Sequence, residues 1–339
     1  MNFSDYISHV ENGKDLEPAQ MEQAISAMMD GSIGEDDMAR FLILLKEKGE
    51  AVGELVGAAK AMRSKMTPIR SERENLVDTC GTGGDGSGTF NISTAAAIVA
   101  ASGGVPIAKH GNRAISSKSG SADALRELGV NVDASRETVE KCLQEIGLCF
   151  CFAPLFHSSV KNVGAARKKL GVPTIFNMLG PLCNPAGAEF QVVGVGKPWQ
   201  RPLIAKALQD LGTRKSVVVH GIDGLCEISN ADETEVSIVS PDSIEETTWS
   251  PETFGLSRTP RTPILAECPS DSAALIQSAL RGEQNAATDI VVLNSSAAFW
   301  LTDSSRSLEE CAMLAKDEIQ SGRAEKMLER LVKHSQVEP

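Results

Sequence analysis

The stretch from Asp78 to Gly129, DTCGTGGDGSGTFNISTAAAIVAASGGVPIAKHGNRAISSKSGSADALRELG, constrains this chain more than any other. A short apolar segment, Leu76-Val77, breaks into a loop with five glycines between Gly81 and Gly88. The residues after Asn91, ISTAAAIVAAS, are small and apolar and predict a helix that starts where the loop ends. Unpaired N–H groups and the positive end of the helix dipole collect at such a start, which suits an anion. Glycine tolerates φ > 0 and lets the backbone approach a ligand closely. The loop is therefore expected to hold a phosphate or pyrophosphate. No Gly-Lys-Ser/Thr follows it, as a Walker loop requires. Gly81-Thr82-Gly83-Gly84-Asp85-Gly86 does fit G-x-G-x-x-G. About twenty residues on, however, the chain is basic (Lys109-His110-Gly111-Asn112-Arg113) where a dinucleotide site needs a carboxylate.

A chain of 339 residues can bury one large core and a small second domain. No apolar run is long enough to cross a membrane, and the N-terminus, MNFSDYISHVENGKD, lacks the basic and apolar regions of a secretory signal. A cytoplasmic protein is the expectation. The formal charge of −12 opposes nonspecific nucleic-acid binding, although Lys109, Arg113 and Lys118 can form a local basic pocket. Eight scattered cysteines without a C-x-x-C pair read as reduced thiols. Cys149 and Cys151 in CFCF fit a buried strand better than a metal site.

Residues 1 to about 70 read as a small all-helical domain, and residues 71–339 as a larger α/β domain, some of whose helices can pack with the first. Apolar spacing near 3.6 predicts helices after Pro18, after Asp36-Asp37 and through EAVGELVGAAKAMRSKM. With turns this short they are expected to pack as antiparallel neighbours. From Leu76 onward, short apolar runs predict strands at 75–79, 105–108, 149–153, 191–196, 216–220, 235–239 and 289–293. Between them, helices are predicted at 121–128, 136–146, 200–211, 271–281, 307–320 and 322–333. This alternation argues for a mostly parallel sheet flanked by helices. The region 240–270, rich in Pro, Ser and Thr, reads as an excursion with little regular structure.

GTGGD, NIST, KHGNRAISS and SGSAD, in this order and spacing, resemble anthranilate phosphoribosyltransferases. The resemblance continues through FAPLFHSSVKNVGAARKKLGVPTIFNMLGPLCNP, VVHGIDGLCEIS and DIVVLNSSAAFWL, and covers roughly Tyr6 to Leu331. It implies a helical domain and an α/β domain with substrates between them, a homodimer through the helical domain, and transfer of a phosphoribosyl group from its pyrophosphate to anthranilate in tryptophan biosynthesis. No covalent nucleophile is implied. Departure of pyrophosphate leaves a cation-like ribosyl centre that an arylamine attacks directly, so the protein must position and neutralise.

For phosphoribosyl pyrophosphate the resemblance implies contacts at Gly81, Gly84, Asp85, Thr89, Asn91, Ile92, Ser93 and Thr94. It also implies the run Lys109, His110, Gly111, Asn112, Arg113, Ala114, Ile115, Ser116 and Ser117, with Ser121. Lys109 would act as a point charge on phosphate, and Ser119 or Ser121 would also cap a helix. For anthranilate it implies Gly81, Asn112 and Arg167, whose guanidinium can read a carboxylate bidentately. On sequence alone, Arg167 in AARKKLG would be a solvated helix charge. His110 is open between a base for the arylamine proton and a packing role, and His157 is similarly ambiguous.

Ser93 and Glu227 are the implied Mg2+ ligands. The family's usual D-G-L-D-E reads Asp223-Gly224-Leu225-Cys226-Glu227 here, so Cys226 occupies an acidic ligand position. A thiol suits magnesium poorly. One ion through Ser93 and Glu227 is retained as the expectation, and a second is expected to be weak, rearranged or absent. Three alternatives stand beside this reading: a pyrimidine nucleoside phosphorylase-like enzyme, a noncatalytic relative that binds phosphate-rich ligands, and use of another arylamine carboxylate.

Overall fold

The computed structural model describes residues 2–114 and 118–337. The chain opens with α1 (Phe3–Glu11), α2 (Pro18–Met29), α3 (Glu35–Lys48) and α4 (Val52–Lys65). Local chemistry sets their ends. Asn2 accepts from the Asp5 N–H at 3.0 Å, and Asp5 returns the bond to the Asn2 N–H, which starts α1. Pro18 stands in the first turn of α2, and Gly49 at φ 87° ends α3.

The expected packing of consecutive helices is corrected here, since α2 packs on α4 and α1 on α3. Gly57 permits the first contact. A Cβ there would lie 2.2 Å from the Pro18 carbonyl oxygen and 2.8 Å from the Met21 Cβ. The buried Glu54 carboxylate pins the same junction, accepting from the Leu16 N–H at 3.0 Å and pairing with Lys48 at 2.9 Å.

The larger part carries a seven-stranded sheet in the order β3-β2-β1-β4-β5-β6-β7. The strands are β1 (Val77–Gly81), β2 (Ile107–Gly111), β3 (Leu148–Phe152), β4 (Phe190–Gly194), β5 (Lys215–Gly221), β6 (Thr234–Val239) and β7 (Ile244–Trp249). β1 to β5 run parallel, and β6 and β7 return antiparallel. The helices are α5 (Ile92–Ser102), α6 (Ser121–Glu127), α7 (Arg136–Ile146), α8 (Ala153–Phe156), α9 (Lys161–Leu170), α10 (Phe176–Leu179), α11 (Gln200–Asp210), α12 (Pro269–Leu280), α13 (Ala286–Thr302), α14 (Leu308–Gln320) and α15 (Arg323–Ser335). Strand alternation splits the core. Val192 and Val217 pack with α5 and α13, whereas Val193 and Val218 face the other way, with α11. α9 and α10 join the helical bundle through Val163, Ala166, Phe176 and Met178.

Two expectations fail. Residues 289–293 belong to helix α13, not to a strand. α13 is buried almost all round, so its apolar run has no polar face to reveal the helical period. The region 240–270 contains β7, which pairs along β6. As an edge strand with Glu245, Glu246, Thr247 and Thr248 exposed, β7 shows no apolar alternation. All eight cysteines are free, and among the described residues no helix is long and apolar enough to cross a membrane.

Candidate active site

From β1 the chain proceeds outward to β2 and β3, then returns to the other side of β1 at β4. Order therefore reverses between β1 and β4, and the crevice beyond the carboxyl ends of such strands is where open α/β sheets bind ligands. Gly81 and Gly194 face each other at those ends. A Cβ on Gly81 would stand 2.9 Å from the Gly194 carbonyl oxygen, and one on Gly194 only 1.5 Å from that of Cys226. The glycine-rich loop starts at this crevice, with Cys226-Glu227 packed onto its edge. Gly83, Gly84, Gly86 and Gly88 take φ of 62°, 76°, 73° and 67°. Chain neighbours aside, no atom of the described residues lies within 4 Å of a Cβ built on any of them, so conformation and not crowding demands glycine here.

Asp85 ties this loop to the acidic turn. One carboxylate oxygen accepts from the Ser87 N–H at 3.1 Å, the other from the Cys226 N–H at 3.1 Å. Thr89 shares a 3.1 Å hydroxyl contact with Ser87. Asn91 precedes α5 without capping it, its side chain turned to Ser119 and Ser272. Ile92 and Thr94 are buried. Ser93 takes a hydrogen bond from Lys109 Nζ at 3.1 Å.

Lys109 is the residue implied above as a point charge on phosphate. It is buried, and Nζ donates to the Thr79 carbonyl as well as to Ser93. Burial pushes its pKa down, while Asp78, Cys80 and Glu227 push it up. Glu227 Oε2 is buried with no hydrogen-bond partner among the described residues. Burial, then the Asp85 carboxylate, raises the Glu227 pKa to about 8. Ser93, Cys226 and Glu227 line one gap of about 10 Å³, and burial holds the Cys226 thiol neutral. Asp223 is already engaged, accepting from Ser229 Oγ at 3.0 Å with Arg261 3.7 Å away. Among the described residues, no three His, Cys, Asp or Glu side chains are grouped to hold a metal.

Next to the glycine-rich loop lies a cavity of about 470 Å³ between the helical bundle and the sheet. It brings together Gly81, His110, Asn112 and Arg167, with Met62 and Phe176 among its walls. Arg167 is half-buried, its guanidinium 5.3 Å over the Phe176 ring, and no carboxylate among the described residues pairs with it. Burial lowers its pKa. His110 donates Nδ1–H to the Gly180 carbonyl at 3.0 Å, which leaves Nε2 as an acceptor. Burial lowers its pKa to about 4, and that of His157, whose ring packs 5.0 Å away, to about 3. Both are neutral imidazoles at pH 7.

The second basic stretch turns tightly. A Cβ on Gly111 would meet Ser121 Oγ at 2.2 Å, and one on Gly120 the Ala114 nitrogen at 2.2 Å. Arg113 stacks 5.5 Å from the Phe152 ring. Ile115, Ser116 and Ser117 lie outside the described residues. The expected cap of α6 by Ser119 or Ser121 is corrected. Gly120 occupies the cap position, and Asp123 accepts from the Gly120 and Ala114 N–H groups, while the two hydroxyls bond to Asn91 and Asn112. Sequence reasoning missed Met62, Phe176 and Ser272, which only tertiary packing brings here. A larger groove of about 700 Å³ opens at the opposite ends of the strands, but Arg73 and Arg306 in it are engaged by the Gln144 carbonyl and by Asp303.

Residues 73–325 match the profile described as the a/b domain of a glycosyl transferase family, and residues 4–66 match its helical bundle domain. The anthranilate phosphoribosyltransferases of Rhodopirellula baltica and Clostridium kluyveri are each 45% identical to the chain. They cover 98% of it in each case, and the chain covers 97% and 99% of them. The chain belongs to the anthranilate phosphoribosyltransferase family. Solved structures of relatives agree. The Thermus thermophilus enzyme superposes with a TM-score of 0.92 at 40% identity, over 98% of this chain and all of that one. The Saccharomyces cerevisiae enzyme, solved in complex with PRPP and Mg, gives 0.90 at 26% identity over 98% and 97% of the two chains.

Proposed function

We propose that this protein transfers the phosphoribosyl group of phosphoribosyl pyrophosphate to anthranilate, giving N-(5-phosphoribosyl)anthranilate and pyrophosphate in tryptophan biosynthesis. The observation that carries this reading is the Arg167 guanidinium, without a carboxylate partner among the described residues, in a cavity that also touches Gly81 and Asn112 beside the glycine-rich loop. One end of the site is cationic and fits a small aromatic carboxylate, and the other offers backbone to a pyrophosphate. The C1–O bond to pyrophosphate breaks as the amine nitrogen bonds to C1, and the amine proton leaves to solvent. Phe176 and Met62 would flank the ring, and the neutral His110 Nε2 would accept an amine N–H. Both orient the nucleophile.

The phosphoribosyl end is assigned to Gly81, Gly84, Asp85, Thr89, Asn91 to Thr94, and the Lys109 to Ser121 stretch. Magnesium, when bound, would neutralise the pyrophosphate. Glu227 Oε2, without a hydrogen-bond partner among the described residues, and Ser93 Oγ, which accepts from Lys109, line one gap and would hold an ion that takes few protein ligands. The complex of the yeast relative with PRPP and Mg supports that assignment. We also read the chain as a helical unit over 1–70 and a catalytic unit over 71–339, acting as a homodimer in the cytoplasm without nucleic-acid or membrane partners. The deciding experiment is a turnover assay. Pyrophosphate release from phosphoribosyl pyrophosphate should require anthranilate and magnesium, and release that is indifferent to anthranilate would refute the reading.

A further inference from the structure

Residues 264–272 run alongside the C-terminal end of the glycine-rich loop and bond to it step by step. The Ala266 N–H donates to the Gly88 carbonyl at 2.8 Å, Thr89 and Leu265 pair as an antiparallel bridge, and the Phe90 N–H donates to the Ile264 carbonyl at 3.0 Å. Ser272, on α12 and fully buried, completes the series. Its Oγ accepts from the Asn91 N–H at 2.9 Å and donates to Asn91 Oδ1 at 2.8 Å. Ser119 Oγ donates to the same oxygen at 2.9 Å, and Asn91 Nδ2 donates to the Ser119 carbonyl at 3.3 Å.

These bonds leave the Asn91 amide one orientation. The Ser119 carbonyl can only accept, so the Asn91 atom it meets is the amide nitrogen, and the atom that the Ser272 and Ser119 hydroxyls both reach is the carbonyl oxygen, to which each donates. That oxygen then has two donors, and among the described residues the amide nitrogen has one N–H left beyond its bond to Ser119. We propose that Ser272 is a positioning residue for the phosphoribosyl group, fixing Asn91 so that this remaining N–H serves as a donor to the substrate's anionic end. This rests on the functional reading above and adds a residue 181 positions from the one it serves.

The test measures phosphoribosyl pyrophosphate binding to the full chain by calorimetry with Mg2+ present, and KM for each substrate. Ser272→Ala should weaken phosphoribosyl pyrophosphate on the order of tenfold, the effect of one or two lost hydrogen bonds. KM for anthranilate should stay within about twofold. Ser272→Cys keeps a weak S–H donor in a slightly larger side chain, so its loss should be smaller than that of Ser272→Ala. Asn91→Ala should weaken binding at least as much, and adding Ser272→Ala to it should change little further, because the serine acts through Asn91. Unchanged affinity in Ser272→Ala, an equal loss for both substrates, or additive effects in the double variant would each overturn the proposal. A wild-type protein that binds phosphoribosyl pyrophosphate but forms no product would refute the functional reading alone, since calorimetry still decides on Ser272.

Discussion

Arg167→Ala separates recognition of anthranilate from folding. In the free protein the guanidinium is half-buried over Phe176 with no carboxylate partner among the described residues. Its removal forfeits a cation–π contact worth about 0.5–1 kcal/mol. It also relieves a cation that burial already disfavours, so no buried acid is left unpaired. These terms oppose each other, and Tm should move by no more than about 2 °C. In the complex the balance changes. A charge-assisted, bidentate pair with the substrate carboxylate in a partly desolvated cavity is worth roughly 2–4 kcal/mol. The expected loss in kcat/KM for anthranilate is therefore about 30- to 1000-fold. KM for phosphoribosyl pyrophosphate should change by less than about threefold, because Arg167 lines the other end of the site. Steady-state kinetics with each substrate varied, beside a melting curve, provides every number needed. An unchanged kcat/KM for anthranilate, or a loss shared equally between the substrates, would remove Arg167 from the carboxylate site.

Three further outcomes rest on the same geometry. Cys226→Asp adds an oxygen ligand beside Glu227 and should shift the magnesium dependence of turnover to lower concentration; superimposable titrations with wild type would show that position 226 does not limit metal binding. His110 and His157 have folded-state pKa values lowered to about 4 and about 3, so the unfolded chain binds more protons below its ordinary histidine pKa of about 6.5. Stability should fall as pH drops from about 6.5 toward 4, and urea midpoints for His157→Asn should show a shallower fall; an identical slope would refute the assignment. Gly194→Ala would place a Cβ 1.5 Å from the Cys226 carbonyl oxygen, so it should cost about 1–3 kcal/mol in chemical denaturation and depress turnover. A neutral effect on both would mean that the acidic turn moves freely.

Features fixed by local chemistry are legible in the amino-acid order itself. Positive φ at Gly83, Gly84, Gly86 and Gly88 is what a glycine-rich approach to a phosphate demands, and the strands of the parallel sheet follow from apolar runs between helices. What failed depends on surroundings that a short stretch of sequence does not contain. α13 looks like a strand because neighbours on every side remove its polar face, and β7 is invisible because it borders solvent. Arg167 could be placed only by resemblance, since nothing in AARKKLG reports that Phe176 lies beneath it. The burial of Lys109 did have a signal. Strand alternation puts it on the face of Ile107, which points into the core.

That burial changes the reading of Cys226. Beneath the crevice the free protein holds the acidic side chains of Asp85 and Glu227 near the Lys109 amine, and Glu227 already resists ionisation, with a pKa of about 8. An aspartate at position 226 would add a third acid, buried as the thiol is, next to two that repel it. Burying an acid without a new partner is unfavourable, and in the free protein only a bound cation could supply that partner. The neutral thiol avoids this, so cysteine at position 226 lowers the electrostatic cost of folding without a bound cation. Metal-free Cys226→Asp should therefore melt below wild type at pH 8, and saturating magnesium should narrow the gap. A metal-free variant as stable as wild type would mean that Asp85, Glu227 and position 226 are screened from one another, and the charge argument would fall.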